Sequence, residues 1–211
     1  MLPTLIKNET QELIDGPAGK LEIAFSLPEN IAPRAWGIVC HPHSQHGGTM
    51  YNKVVTTIVK VFQNLGLATV RFNFRGVGAS EGEYDEGKGE LKDLITVMDW
   101  VQRESNVQAI WLAGFSFGAY VAAKAATQIP IQQLVTVAPS VEHFPMQQLP
   151  AIKCPWLLVQ GDQDEVVPAK VVYDWALARN PRPVIISFPT AGHFFHGQLT
   201  ELRVKMEEAL R

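Results

Sequence analysis

Cysteine is scarce in this sequence, with only Cys40 and Cys154 among 211 residues. Two cysteines cannot form the framework of several disulfides that stabilises many small secreted folds, and their spacing matches no zinc knuckle. Each lies at the edge of an apolar run, which is typical of a buried thiol that behaves as a small hydrophobic group. We therefore predict reduced, buried cysteines without a catalytic role.

Long apolar runs and an excess of positive charge are also missing. No run approaches the length that spans a bilayer, and the first nine residues contain no apolar core of signal-peptide length. Lysine and arginine number 18 against 21 aspartate and glutamate residues, which gives a net charge of −3. We therefore expect a cytoplasmic protein that binds neither membrane nor nucleic acid. The oligomeric state stays open.

The remaining composition is that of a folded globular chain. Hydrophobic residues make up 46% and charged residues 18% of the sequence, which is enough apolar material for one sizeable core. Repeats, low-complexity segments and linkers are absent. We therefore predict that residues 1–211 form a single domain.

Apolar runs alternate with helix-like segments along the chain. A hairpin is predicted over residues 12–26, around the turn Gly16-Pro-Ala-Gly19. The alternation after it predicts a mostly parallel sheet of about seven to eight strands with helices on both faces. Further strands are predicted at 35–40, 67–74, 107–113, 134–138, 155–160 and 184–188, and helices at 52–65, 87–103, about 168–178 and 197–210, besides one directly after residue 118.

A serine occupies the sharpest predicted turn of the chain. The strand that ends near residue 113 is followed by Gly114-Phe-Ser-Phe-Gly118 and then by an alanine-rich helical segment. Glycines at both flanks allow a strand to turn directly into a helix, because a Cβ there would collide with neighbouring backbone. Ser116 would then project from the start of a helix as a candidate nucleophile.

An acid and a base follow two later strands. Asp162, Asp164 and Glu165 come after the strand at 155–160, and His193 comes after the strand at 184–188. Because ligands bind at the carboxyl ends of parallel strands, these side chains should gather near Ser116. A histidine can take the proton of a serine hydroxyl, and a carboxylate can hold the histidine in the correct tautomer. The spacing alone leaves the three carboxylates as alternatives.

These motifs resemble those of the α/β-hydrolase superfamily, over nearly the whole chain from about residue 20. The order Ser, Asp, His is that of the family. The resemblance implies an α/β-hydrolase fold and selects Asp164 as the triad acid beside Ser116 and His193. Within the superfamily, the segments His41-Pro-His, Asn73-Phe-Arg-Gly-Val-Gly-Ala-Ser80 and His193-Phe-Phe-His-Gly197 resemble a subgroup of small hydrolases.

The resemblance also implies an oxyanion hole made of two backbone N–H groups. One belongs to Phe117, the residue after the nucleophile. The other comes from the loop after the strand at 35–40, where Pro42 has no N–H to donate. His43 is the preferred donor, and Ser44 is the alternative.

The expected activity is hydrolysis of a carboxylic ester, thioester or other small acyl bond through an acyl-enzyme on Ser116, as in a carboxylesterase, without a cofactor or metal. About sixteen residues separate the strands at 134–138 and 155–160, too few for a cap domain. We therefore expect an open site for a small-molecule acyl substrate, with Phe144 and Met146 either lining its rim or packing inward.

Three other functions compete with a serine hydrolase. His41, His43 and His46 resemble the zinc ligands of metallo-β-lactamase-like hydrolases, although Gln45 stands where that motif carries an acid. The glycines after residue 75 could suggest a dinucleotide loop, but four acids follow them and would repel a pyrophosphate. We expect Arg75 to hold this loop through an ion pair. The third alternative is an inactive hydrolase fold that serves as a binding module.

Overall fold

The computed structural model of the protein describes residues 9–29, 32–105 and 109–211. The first eight residues and the beginning of the strand predicted from Val107 lie outside the described residues. The strands are β1 (Thr10–Gly16), β2 (Gly19–Ser26), β3 (Trp36–Cys40), β4 (Ala68–Phe72), β5 (Ile110–Phe115), β6 (Gln133–Val137), β7 (Trp156–Gly161) and β8 (Val184–Phe188). The helices are α1 (Lys53–Asn64), α2 (Gly89–Glu104), α3 (Phe117–Ala126), α4 (Ala169–Leu177) and α5 (Leu199–Ala209).

The eight strands form one sheet in the order β1-β2-β4-β3-β5-β6-β7-β8. The predicted hairpin is confirmed, since β1 and β2 pair antiparallel with Gly16 opposite Gly19. β2 also pairs antiparallel with β4, and all pairings from β4 through β8 are parallel. The prediction of a mostly parallel sheet behind an N-terminal hairpin is therefore confirmed.

Two apolar layers cover the two faces of the sheet. Successive residues of a strand point to opposite faces, and in β3 Ile38 packs into one layer while Val39 packs into the other. The first layer includes buried side chains of α2, α3 and α4, and the second includes those of α1 and α5. Helices on both faces explain why the central strands are apolar almost without interruption.

Local signals explain where α1 begins and ends. The side chain of Asn52 accepts a hydrogen bond from the N–H of Val54 at 2.8 Å, which caps the first turn. Gly66 follows the helix with a φ of 79°, a conformation that glycine adopts without strain. The prediction of a helix over 52–65 thus differs from the structure by one residue at each end.

Strand β8 differs from the sequence-based expectation. Its apolar run predicts a strand that is buried on both faces, yet Val184 is 64% exposed and only Phe188 is fully buried. Among the strands that the structure describes, β8 is the last of the sheet and pairs only with β7. An apolar run reports the hydrophobicity of a strand and not its place in the sheet, so the edge position could not be read from it.

The connection between β6 and β7 carries no cap domain. It contains one short 3₁₀ turn, Met146–Gln148. Of the two side chains considered for the rim, Met146 is fully buried and packs in the first apolar layer. Within the described ranges, the protein has no helix that combines the length and apolarity needed to cross a membrane.

The two cysteines are free thiols. Cys40 is fully buried, and burial raises the pKa of its thiol well above the ordinary value. Cys154 is half-buried rather than buried, and desolvation again raises its pKa. A thiol with a raised pKa is a poor nucleophile at neutral pH.

Candidate active site

Ser116 lies between β5 and α3 in a backbone conformation that is unusual for serine. Its φ is 56° and its ψ is −116°. A residue other than glycine adopts a positive φ only when its surroundings hold it there, and such strain is concentrated at functional sites. The turn places the Ser116 side chain at the carboxyl end of β5, directly before the first turn of α3.

The two glycines that flank this turn have backbone atoms where a side chain would begin. A Cβ on Gly114 would lie 2.1 Å from the carbonyl oxygen of Gly118. A Cβ on Gly118 would lie 2.4 Å from the carbonyl oxygen of Cys40 and 2.5 Å from that of His41. Both glycines are therefore required for the close approach of α3 to β5 and β3.

Ser116, His193 and Asp164 form a hydrogen-bonded chain. The Nε2 atom of His193 lies 3.1 Å from Oγ of Ser116, and its Nδ1 atom lies 2.8 Å from Oδ2 of Asp164. All three residues are buried. The structure thus brings together three residues that are far apart in the sequence, each beyond the end of a different strand.

Asp164 is held by more than His193. Its Oδ1 atom accepts hydrogen bonds from the N–H groups of Val166 and Val167, and its Oδ2 atom accepts one from the Gln160 side chain. Burial alone would raise the pKa of the Asp164 carboxyl. The bonds from His193, Val167 and Val166 outweigh burial and lower the pKa below its ordinary value. The carboxylate is therefore ionised at neutral pH and fixed in position.

The other two carboxylates of this loop have different partners. The Asp162 carboxylate accepts a hydrogen bond from the Tyr173 hydroxyl. Glu165 contacts His193 through the backbone, since its Oε2 atom accepts the His193 N–H at 3.1 Å. Only Asp164 among these three lies within hydrogen-bond distance of the His193 ring, and Glu165 instead supports the loop that carries it.

Ser140 is a further member of the site that the sequence reasoning missed. Its Oγ atom lies 3.0 Å from Oγ of Ser116. It follows β6, whose end lies next to that of β5 in the sheet. When the Ser116 hydroxyl donates to His193, the Ser140 hydroxyl is left to donate to Ser116 and to hold it in that orientation. Applying the strand-end argument to β6 as well would have pointed to this residue.

The two residues that carry the predicted oxyanion donors have side chains in contact. The His43 and Phe117 rings are 5.2 Å apart between centroids. Phe117 is the first residue of α3, and a helix leaves its first N–H groups without an intrahelical acceptor. In the described part of the chain, the N–H of His43 has no acceptor, while its carbonyl accepts from His46 and Gly48. The choice of His43 over Ser44 stays a prediction.

The three histidines of the possible zinc motif do not converge. Nδ1 of His41 lies 2.6 Å from the Pro42 carbonyl oxygen, and its Nε2 accepts the N–H of Phe74 at 3.0 Å. The ring is fully buried, and this burial lowers the pKa of His41 to about 4. His43 stacks on His46 and accepts the Gln45 N–H. The described residues contain no group of three or more side chains that could hold a metal ion.

The glycine-rich loop after β4 is held by Arg75. Its guanidinium donates to both carboxylate oxygens of Asp93 on α2, at 2.7–3.2 Å, and Asp93 is fully buried. Its backbone N–H donates to the same carboxylate. The predicted ion pair is confirmed, and it leaves the guanidinium bound to the fold rather than to a ligand.

A cavity of about 610 Å³ opens beside Ser116. Phe144 lines it, as the rim prediction allowed, and its ring stacks on Tyr120 with centroids 5.1 Å apart. The other lining residues are His43, His46, Tyr84, Glu86, Lys88, Lys124, Ser140, His143, Pro145 and Val166. The site is thus bounded by loop residues and by α3 rather than by an inserted domain.

Comparison with known proteins identifies a family and a relative of this chain. The family model described as Serine aminopeptidase, S33, matches residues 43–149. An uncharacterized protein of Rickettsia prowazekii is 32% identical over 211 residues, which cover 95% of this chain and 88% of that protein.

Two solved structures are similar over almost the full length. An alpha-beta serine hydrolase homologue from Coxiella burnetii is 48% identical, with a TM-score of 0.92 over 99% of this chain and all of the other. A Xanthomonas campestris serine hydrolase described as lacking a lid is 40% identical, with a TM-score of 0.90 over 99% of this chain and 96% of the other.

Proposed function

The chain belongs to the α/β hydrolases of the Serine aminopeptidase, S33, family, and from this premise we propose that it hydrolyses carboxylic esters through an acyl-enzyme on Ser116. The observation that carries this proposal is the hydrogen-bonded chain from Ser116 through His193 to Asp164. A buried, ionised carboxylate beside a histidine that touches a strained serine is the arrangement that activates a hydroxyl for acyl transfer.

In the first half of the reaction, His193 takes the hydroxyl proton through Nε2 while Ser116 attacks the ester carbonyl carbon. Asp164 accepts the hydrogen bond from Nδ1 and stabilises the imidazolium that forms. The N–H groups of Phe117 and His43 would donate to the oxyanion of the tetrahedral intermediate. The carbon–oxygen bond then breaks, His193 gives its proton to the leaving alcohol, and the acyl group stays on Ser116.

In the second half, water replaces the alcohol. His193 takes a proton from the water, whose oxygen attacks the acyl carbon, and the proton passes to Oγ of Ser116 as the acid leaves. Ser140 keeps the Ser116 hydroxyl directed at His193 in the resting enzyme. His193, which already contacts Ser116 and Asp164, thus takes up and releases every proton of the cycle.

The family description names an aminopeptidase, whose substrate is the amino-terminal end of a peptide. The charges around the cavity favour an ester substrate over such a peptide. An aminopeptidase has to bind an α-ammonium group, for which a free carboxylate is the natural partner. Glu86 is the lining carboxylate, and it lies 3.6 Å from the Lys88 ammonium. Lys124, which has no carboxylate partner among the described residues, would repel an ammonium group, whereas an ester has no positive charge to place there.

Labelling with a fluorophosphonate probe tests the proposal. The wild-type protein should form a phosphonate ester on Ser116 with loss of fluoride, and Ser116→Ala should not be labelled. Ser187→Ala, which changes an exposed serine of β8, is the control and should be labelled like the wild type. An unlabelled wild-type protein would favour a binding module without activity.

Hydrolysis of p-nitrophenyl butyrate and of the corresponding thioester should accompany this labelling and disappear in Ser116→Ala. The same assays with a chelator address the histidine motif. Activity that survives Ser116→Ala and is lost with the chelator would contradict the serine mechanism and support a metal site instead.

A further inference from the structure

The cavity beside Ser116 follows one face of α3. Ser116, Tyr120 and Lys124 all line it, and residues four positions apart lie above one another on a helix. The cavity therefore extends from the nucleophile, over the Tyr120 ring one turn later, to the Lys124 side chain two turns later. This span is at most about 12 Å, at 1.5 Å per residue along the helix.

The middle of this cavity is aromatic. The rings of Tyr120 and Phe144 are stacked, with an interplanar angle of 17°. The Tyr84 ring lies 4.8 Å from that of His43, and both residues also line the cavity. The faces of these rings suit the apolar, unbranched part of an acyl chain.

The far end of the cavity presents a positive charge. Lys124 is half-buried, and its ammonium reaches back over the preceding turn to lie 5.4 Å from the centroid of the Tyr120 ring. Throughout the described residues, its one hydrogen-bond acceptor is the Gly87 carbonyl oxygen at 3.4 Å, and it has no carboxylate partner. By contrast, Lys88 at the rim is paired with Glu86. A half-buried ammonium beside an empty space favours an anion there.

The position of His193 indicates which half of the substrate occupies the cavity. In the proposed reaction the leaving alcohol takes its proton from Nε2 of His193, so the alcohol has to lie on the side of that ring. The residues that line the cavity include Ser116 but not His193. The acyl half of the ester therefore extends along α3.

We propose that the preferred substrates are esters whose acyl chain carries a terminal carboxylate that binds Lys124. The scissile carbonyl lies at Ser116, the methylene chain crosses Tyr120 and Phe144, and the carboxylate forms a charge-assisted hydrogen bond with the ammonium. This inference rests on the function proposed above and names the class of its substrate.

A matched pair of esters tests the inference. Mono-p-nitrophenyl suberate carries the free carboxylate, and its methyl ester has the same chain without the charge. The wild-type enzyme should show a kcat/KM for the anionic ester about tenfold above that for the neutral one, mainly through KM. The preference should weaken for the adipate pair, whose chain is two methylene groups shorter, and should also weaken at high ionic strength.

Substitution of the lysine should remove the preference. In Lys124→Met the ratio of the two kcat/KM values should fall about tenfold, and Lys124→Arg should largely retain it. Because both esters are measured on the same protein sample, a change in folding or in general activity cancels in the ratio. Lys92→Met, which removes an exposed charge of α2 outside the cavity, is the control and should keep the wild-type ratio.

The outcomes separate the two proposals. Ser116-dependent hydrolysis with equal ratios in the wild type and Lys124→Met would overturn the carboxylate inference and leave ester hydrolysis standing. Absence of Ser116-dependent turnover of every ester, together with failure of fluorophosphonate labelling, would overturn the proposed function and the inference with it.

Discussion

In the loop after β7, the type of a residue determines little of its role, as the carboxylates of Asp162, Asp164 and Glu165 show. The three carboxylates are close together in the chain, yet one binds Tyr173, one binds the His193 ring and one accepts the His193 backbone N–H. Only a carboxylate that accepts from Nδ1 can hold the imidazole with Nε2 free to take a proton. The proposed mechanism therefore depends on Asp164 alone among them.

Asp164→Asn should lower kcat for p-nitrophenyl butyrate by about 10⁴-fold. The amide can present its NH₂ group to Nδ1 and favours the tautomer in which Nε2 carries the proton, so Ser116 loses its base. Asp162→Asn should stay within about threefold of the wild type, because its partner Tyr173 lies outside the proposed triad. Steady-state kinetics and circular dichroism of both variants check this, and a larger loss in Asp162→Asn would contradict the assignment.

At the scale of elements, the position of α3 depends on contacts between backbones. The helix begins directly after Ser116, the proposed nucleophile, and Gly118 in its first turn lies against the carbonyl groups at the end of β3. The N–H of Phe117, one of the two predicted oxyanion donors, is therefore fixed by how closely this helix can approach the sheet. Sequence alone indicates small residues here but not which strand they meet.

Gly118→Ala should reduce both stability and activity. The added Cβ would lie 2.4 Å from a carbonyl oxygen, so α3 has to move away from β3, at about 1–3 kcal/mol of unfolding free energy. A displacement of this kind at Phe117 should lower kcat about 100-fold. Urea unfolding and ester hydrolysis measure the two effects.

Gly66→Ala provides the matched control for this substitution. Gly66 has a φ of 79° and open space where its Cβ would lie. The change should therefore destabilise the protein by about 1 kcal/mol through backbone strain alone and leave kcat unchanged. Equal losses of activity in the two variants would contradict the role assigned to the close approach of Gly118.

At the scale of the whole molecule, one buried histidine links stability to pH. His41 is fully buried beneath the site, and its Nε2 can accept the Phe74 N–H only while the ring is neutral. The pKa of His41 falls to about 4 in the folded protein from an ordinary value of 6.5. Between these values the unfolded chain binds a proton that the folded protein does not.

Stability should therefore fall as the pH drops from about 6.5 to about 4, by about 3 kcal/mol from His41 alone. The contribution is complete above pH 6.5 and is lost as the pH falls through the folded pKa. Urea unfolding at several pH values should show this slope, and His41→Asn should reduce it even though the variant is less stable at pH 7. Imidazole ¹⁵N shifts that show a protonated His41 ring at pH 5 in the folded protein would contradict it.

The sequence by itself determined the alternation of strands and helices, the hairpin and the turn at Ser116, because hydrophobic period and glycine placement are local properties. Burial and contacts that depend on the place of a strand in the sheet could not be predicted from the sequence. The exposed faces of β8 follow from its place at the edge, the burial of Met146 from the path of the loop after β6, and the contact of Ser140 with Ser116 from the adjacency of β5 and β6.

Motifs and a family resemblance point to Ser116, Asp164 and His193, but the positions of these residues in the chain do not give the distances between their side chains. The tertiary structure decided that the His193 ring meets Asp164 rather than its neighbours, and that His41 is a buried support rather than a ligand. It also decided that Lys124 lies on the face of α3 that opens into the cavity. Contacts between residues distant in sequence depend on how the strands are ordered and how closely the helices pack on them, which local patterns do not encode.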